Sequence, residues 1–183
     1  RMIERYSLPE MKKIWTDENR FQQMLDVEIY ACEAMCNMGL IPKEAYEDIR
    51  TKARFDIQRI AEIEEVTRHD VIAFLTAVGE NIGDASKYVH MGMTSSDVLD
   101  TALSVQMKQA AELLLGKLHA LQDILARRAK EFKYTLCIGR THGIHAEPVT
   151  FGLKLALWTM EVDRQIVRLT AAKDSVSVGM ISG

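Results

Sequence analysis

The sequence predicts an all-α protein: a small N-terminal helical domain over residues 1–93, followed over residues 94–183 by the first part of a long-helix bundle. Three observations carry this reading. Only 3 prolines and 10 glycines punctuate 183 residues, so long unbroken elements are expected. Apolar residues recur every three or four positions along most of the chain, the period of a helix with one buried face. One such run continues from about Val98 to Phe132 without a proline. At 1.5 Å per residue it would span about 50 Å, a length suited to an elongated bundle.

In chain order, Ile3 to Pro9 reads as a short irregular opening. A first strong helix is expected from about Asp17 to Met38, with Phe21, Leu25, Ile29, Cys32 and Met35 on one stripe. Gly39 suits the C′ position, and Pro42 can open a second helix at N1, running to about Lys52. Asp56 can cap a third helix whose stripe is Ile57, Ile60, Ile63 and Val66. Thr67-Arg68-His69-Asp70 interrupts the pattern, which Val71, Phe74, Leu75, Val78 and Ile82 resume until Gly83-Asp84. Tyr88 to Met93 reads as a loop, and Thr94-Ser95-Ser96-Asp97 as a helix start. The apolar face of the long helix includes Leu99, Leu103, Met107, Leu114, Leu118, Leu121 and Leu125. Tyr134 to Ile138 is short and apolar, suggesting extended chain. Pro148 can start the last helix at N1, reaching about Ala172, with Leu153, Leu157, Met160, Ile166 and Leu169 as core candidates. No β-hairpin signal, low-complexity segment or fixed-period repeat is evident.

Composition narrows the function classes. Hydrophobic residues at 48% and charged residues at 27% suit a globular domain. The net charge of −3 argues against a nucleic-acid binder, which carries a basic surplus or stripe. No apolar run reaches the roughly 18 residues of a membrane span. Arg1 to Arg5 lacks the apolar core of a secretory signal. The three cysteines, Cys32, Cys36 and Cys137, are then expected as reduced thiols in the cytoplasm. Cys32 and Cys36, four apart on one helix face, read as core residues, since a zinc pair needs two more ligands close by.

Four polar clusters interrupt the apolar pattern and are the candidates for function. Arg5-Tyr6 offers a planar cation for phosphate and a ring for stacking. Arg68-His69-Asp70 places a cation, an imidazole and an acceptor side by side at a helix junction; the structural alternative is a cap with Asp70 as the N-cap. Thr94-Ser95-Ser96-Asp97 puts hydroxyls at a helix N-terminus, where unpaired N–H groups and the dipole favour an anion, although one of these residues must cap the helix. Gly139-Arg140-Thr141-His142-Gly143 presents His142 between glycines, as an acid–base histidine or a satisfied structural one. His145 and Glu147 follow, but no HExxH-type helical spacing supports a metal there.

Taken in order, Arg68-His69-Asp70, His90-Met91-Gly92-Met93-Thr94-Ser95-Ser96-Asp97 and Gly139-Arg140-Thr141-His142-Gly143 resemble the fumarase/aspartase superfamily. Glu4-Arg5-Tyr6, Ile14 through Phe21, His145-Ala146-Glu147-Pro148 and Phe151-Gly152-Leu153-Lys154 resemble its adenylosuccinate lyase branch. The resemblance covers essentially the whole chain. It implies a homotetrameric cytoplasmic enzyme of purine and AMP biosynthesis, with a central bundle of long helices and active sites shared among subunits. It further implies release of fumarate from adenylosuccinate, giving AMP, and from the succinyl-carboxamide intermediate SAICAR, giving AICAR, with no metal or organic cofactor.

Carried over position by position, His142 resembles the general acid for the departing nitrogen and His69 the histidine assisting it. Arg5 and Tyr6 match nucleotide contacts, Arg68 and Asp70 flank His69 at substrate-contact positions, and Thr94 and Ser95 match hydroxyls that hold the succinyl part. His90 matches a further histidine near the substrate. The family's serine-rich loop, with its Met-Pro-x-Lys-x-Asn core and catalytic serine base, has no counterpart between Arg1 and Gly183. A fragment inactive by itself is therefore expected. The alternatives are another superfamily lyase, such as one acting on argininosuccinate, and, for the isolated piece, a non-catalytic helical assembly module.

Overall fold

A computed structural model describes residues 3–183. Its described residues contain seven α-helices and one two-stranded sheet. They divide into two compact units: the residues up to Gln109 together with Ser177–Gly183, and Ala110–Val176.

The first unit begins with a 3-10 turn at Glu4–Tyr6 and helix α1, Pro9–Ile14. Thr16 caps α2, Asp17–Asn37, its side chain accepting from the Asn19 N–H at 3.2 Å. Gly39 follows at φ +72°, as its C′ assignment requires. Helix α3, Lys43–Lys52, starts one residue after the expected position, with Pro42 as its N-cap. Asp56 caps α4, Ile57–Thr67, by accepting from the Arg59 N–H at 2.9 Å. Its stripe is shorter than the periodicity implies: Ile60 and Ile63 are buried, but Val66 in the last turn is 84% exposed. Helix α5, Asp70–Ile82, ends at Gly83, and a 3-10 turn continues to Tyr88.

The core of this unit gathers the buried faces of α2, α4 and α5 with the start of α6. Phe21 stacks on Phe74 with centroids 5.6 Å apart, and Phe55 tilts against both. Helix α6, Ser95–Glu131, contributes Val98 and Ala102 to this core. Its Gln106 side chain is buried and donates to the Ile14 carbonyl at 2.8 Å.

In the second unit, the remainder of α6 leads to strands β1, Leu136–Thr141, and β2, Ile144–Thr150, and then to helix α7, Phe151–Val176. The sequence signals extended chain at Tyr134 to Ile138 but no hairpin, and the hairpin corrects the latter. Thr141 pairs with Ile144, so His142-Gly143 is a two-residue turn, and both residues have positive φ, 50° and 75°. That is the pattern of a type I′ turn, usually signalled by Asn-Gly or Asp-Gly rather than His-Gly. Pro148 correspondingly sits in β2 opposite Ile138, and α7 begins three residues later than Pro148 had indicated.

The expected apolar face of α6 is also corrected. Leu103, Leu114 and Leu121 are each about 45% exposed, whereas the buried positions are Asp97, Val98, Ala102, Gln106, Ala110 and Ala111. On α7, Leu153, Leu157 and Met160 are exposed and only Gly152 and Leu155 are buried. These leucine stripes have the right period for a bundle, but too few described elements pack on them to bury them.

Candidate active site

Arg5 and Tyr6 lie in the opening 3-10 turn, both exposed. The guanidinium sits 4.8 Å from the Tyr6 ring centroid and reaches the phenol oxygen at 3.2 Å. The pair thus forms a self-contained cation–ring unit on the surface.

Arg68-His69-Asp70 joins α4 to α5. Arg68 closes α4 in the left-handed region at φ 52°, its guanidinium 3.1 Å from Glu65. His69, rather than Asp70, is the N-cap of α5: its Nδ1 accepts from the Ile72 N–H at 3.3 Å. Accepting that bond requires a lone pair on Nδ1, so the neutral ring carries its proton on Nε2. Asp70 is the first helical residue, and its carboxylate accepts from the Val71 N–H at 2.8 Å. Capping by Nδ1 therefore leaves the Nε2–H of the neutral ring to donate a hydrogen bond.

The segment before α6 is held by two buried carboxylates. Glu28, on the buried face of α2, accepts from the His90 N–H at 2.9 Å and meets the His90 Nδ1 at 2.6 Å. Burial pushes the Glu28 carboxyl above its ordinary value, opposed by the hydrogen bond and charge of the His90 ring. His90 itself has φ 65°. The Met93 N–H donates to the His90 carbonyl at 3.2 Å, closing a turn that delivers the chain to Thr94. Asp97 then reaches back to the Thr94 N–H at 3.0 Å, the reciprocal half of a capping box. It also accepts from the Ser182 N–H at 2.7 Å and the Gly183 N–H at 3.1 Å. The Thr94 N–H and the other donors hold its carboxyl below the ordinary range against the opposing effect of burial. The hydroxyls of Thr94, exposed, and Ser95, half-buried, make no hydrogen bond among the described residues.

His142 belongs to the second unit, at the exposed tip of the hairpin. Gly139 is needed one turn of strand earlier. Ala146 and Glu147 oppose it as a β-bulge, and a Cβ at Gly139 would stand 2.5 Å from the Glu147 carbonyl oxygen. The glycine thus serves the bulge, while His142 and Gly143 make the turn.

Among the described residues, three non-glycine residues have positive φ: Arg68, His90 and His142. Each lies in a different polar segment named from the sequence. Side chains held in sparsely populated backbone regions gather at functional sites, because such strain persists only where the surroundings impose it. No hydrogen bond among the described residues joins the Arg5, His69 and Thr94 segments of the first unit to one another. No group of three His, Cys, Asp or Glu side chains converges as a metal site among them. No helix of the described residues is long and apolar enough to cross a membrane.

Sequence reasoning missed Glu28. Its signal was present: Glu28 falls between Leu25 and Cys32 on the buried stripe of α2, where an acidic residue requires a partner.

Comparison with known proteins bears on this arrangement. The chain is 59% identical to the adenylosuccinate lyase of Bacillus subtilis (strain 168) and 54% identical to that of Synechocystis sp.. It is 52% identical to that of Staphylococcus saprophyticus. Each alignment takes in all of this chain but 42% of the relative's length. Among solved structures, 3-carboxy-cis,cis-muconate lactonizing enzyme from Pseudomonas putida superposes with a TM-score of 0.89 at 33% identity, covering 97% of this chain and 42% of that one. Fumarate lyase from Mesorhizobium sp. BNC1 superposes at 0.87 and 29% identity, covering 94% and 42%. A family model described as lyase matches residues 4–183, taking in every polar segment described above, and the chain therefore belongs to the lyase family.

Proposed function

We propose that this chain is the N-terminal part of an adenylosuccinate lyase, which eliminates fumarate from adenylosuccinate to give AMP and from SAICAR to give AICAR. The observation that carries the proposal is identity of 52–59% across the whole chain to enzymes of that name. In the elimination, a base removes the proton next to a carboxylate, the C–N bond breaks, and the departing nitrogen takes up a proton. His142 is the general acid that supplies that proton, and its exposed position on a two-residue turn suits a substrate arriving from outside its own unit. His69 assists it through a hydrogen bond donated by its Nε2–H, while Nδ1 is held by α5. Thr94 and Ser95 donate hydroxyls to a substrate carboxylate at the positive end of α6. Arg5 and Tyr6 contact the nucleotide, and Arg68 and Asp70 flank His69 at substrate-contact positions.

The active protein on this reading is a cytoplasmic homotetramer needing no cofactor, and the base comes from sequence beyond Gly183. The test is His142→Ala in the full-length protein. A loss of about 10²–10⁴-fold in turnover is expected for one acid–base group. Turnover near that of wild type would sink the role. The 183-residue chain alone is expected to release no fumarate. Because fumarate lyase and a muconate lactonizing enzyme share the fold, a substrate panel including argininosuccinate and fumarate tests the specificity.

A further inference from the structure

Glu28 has a place in this chain that its surroundings do not explain by packing. It is 1% exposed on the face of α2 that carries Met24, Leu25 and Cys32. An apolar residue there would bury without penalty, whereas a carboxylate must be matched by donors. Among the described residues, the match is made entirely by His90. One carboxylate oxygen takes the His90 backbone N–H at 2.9 Å, and the other takes the ring nitrogen Nδ1 at 2.6 Å.

A staple joining the loop to α2 needs only the backbone bond. The second bond selects the state of the ring. With Nδ1–H donated to the carboxylate, Nε2 is left as the working nitrogen, and it makes no hydrogen bond among the described residues. The ring stays 20% exposed, so that nitrogen is not sealed in the core. The backbone bond meanwhile holds His90 in the left-handed region and steadies the His90–Met93 turn that runs into Thr94 and Ser95. Carboxylate–imidazole pairs of this geometry orient a histidine and set its tautomer where the far nitrogen meets a ligand.

We propose that Glu28 is a positioning residue of the lyase reaction, holding His90 so that its Nε2 faces a polar or anionic group of the substrate. This rests on the lyase reading above. Glu28 acts through His90 and touches no reacting atom. Glutamine cannot hold the same tautomer: its amide offers one acceptor oxygen for the His90 N–H, and its N–H₂ group would meet Nδ1 only with the ring proton moved to Nε2.

The test is a double-mutant cycle in the full-length protein, measuring kcat and KM for adenylosuccinate and the melting temperature of each variant. Glu28→Gln should lower kcat on the order of 10- to 100-fold, as loss of an orienting partner does, with a smaller change in KM. His90→Gln should lower it at least as far. The double variant should fall no further than His90→Gln alone, because both changes remove one device. Glu28→Asp, which keeps two oxygens, should retain more kcat than Glu28→Gln, and it replaces Glu28→Gln in the cycle if the latter does not fold. Losses that multiply in the double variant overturn the proposal. So does a lowered melting temperature with kcat unchanged, the behaviour of a staple. An inactive wild-type protein overturns the lyase reading and this inference with it, whereas an active wild type with multiplying losses overturns this inference alone.

Discussion

Gly152 sets how α7 leaves the hairpin, and replacing it by alanine opposes two effects of known sign. Alanine is the better helix former, by about 1 kcal/mol at an interior position. At Gly152, however, the added Cβ would stand 2.4 Å from the Ala129 carbonyl oxygen and 2.7 Å from the Lys133 N and Cα. All three are backbone atoms, in the last turn of α6 and just beyond it, so no side-chain rotation relieves the overlap. A comfortable separation is about 3.5 Å, so the shortfall is close to 1 Å. Overpacking of this kind costs about 1–3 kcal/mol, and a backbone-only contact belongs at the upper end. The expected net loss is about 2 kcal/mol, which lowers the melting temperature of a chain this size by about 4–8 °C. The bonds from the Phe151 N–H to Thr135 and from the Gly152 N–H to Phe132, at 2.8 and 3.0 Å, should lose hydrogen-exchange protection. Gly116→Ala is the control: a Cβ there meets nothing within 4 Å, so propensity acts alone and the melting temperature should rise. If Gly152→Ala melts at or above wild type, the reasoning from close approach is wrong.

Three other expectations follow from buried groups. Phe74→Ala, which removes the ring packed against Phe21 and Phe55, should destabilise the chain by about 3–5 kcal/mol in urea titration; a loss below about 1 kcal/mol would mean the cluster re-packs. Burial and the nearby Glu28 charge push the Cys32 thiol up to about 11, so at mildly alkaline pH a thiol reagent should modify it only after denaturant is added, as read by peptide mass spectrometry. Ready labelling of native Cys32 would contradict that burial. The Asp97 carboxyl is held below its ordinary value, so its contribution to stability is present above the ordinary carboxylate range and is lost as pH falls through the lowered folded value. Melting curves of Asp97→Asn should therefore fall less steeply than those of wild type below about pH 4, and parallel acid limbs would refute the assignment.

The helical architecture was legible because its signals are local. The stripe Phe21-Leu25-Cys32, the cap Asp56 and the stop at Gly39 each act within a few residues, and the structure places α2 to α5 accordingly. The polar segments could be picked out for the same reason: they break a period. The hairpin was not legible, because His142-Gly143 adopts a turn usually written with Asn or Asp, and Pro148 signals a helix start as readily as a strand edge. Nor could the period of α6 say which face is covered. Leu103 and Leu114 repeat as a core stripe should, but burial depends on what packs there, and the small residues Ala102 and Ala110 are the ones enclosed.

The sequence by itself thus determined the helix-rich class and most helix ends, since propensity, capping and periodicity are properties of short stretches. Only the tertiary structure decided that His69 caps α5 through Nδ1, that Glu28 reaches across 62 positions to grip His90, and that Asp97 binds Ser182 and Gly183 as well as Thr94. The pairings of Glu28 with His90 and of Asp97 with Ser182 and Gly183 join residues far apart in the chain, and only the packing of one element on another sets which donor meets a buried carboxylate.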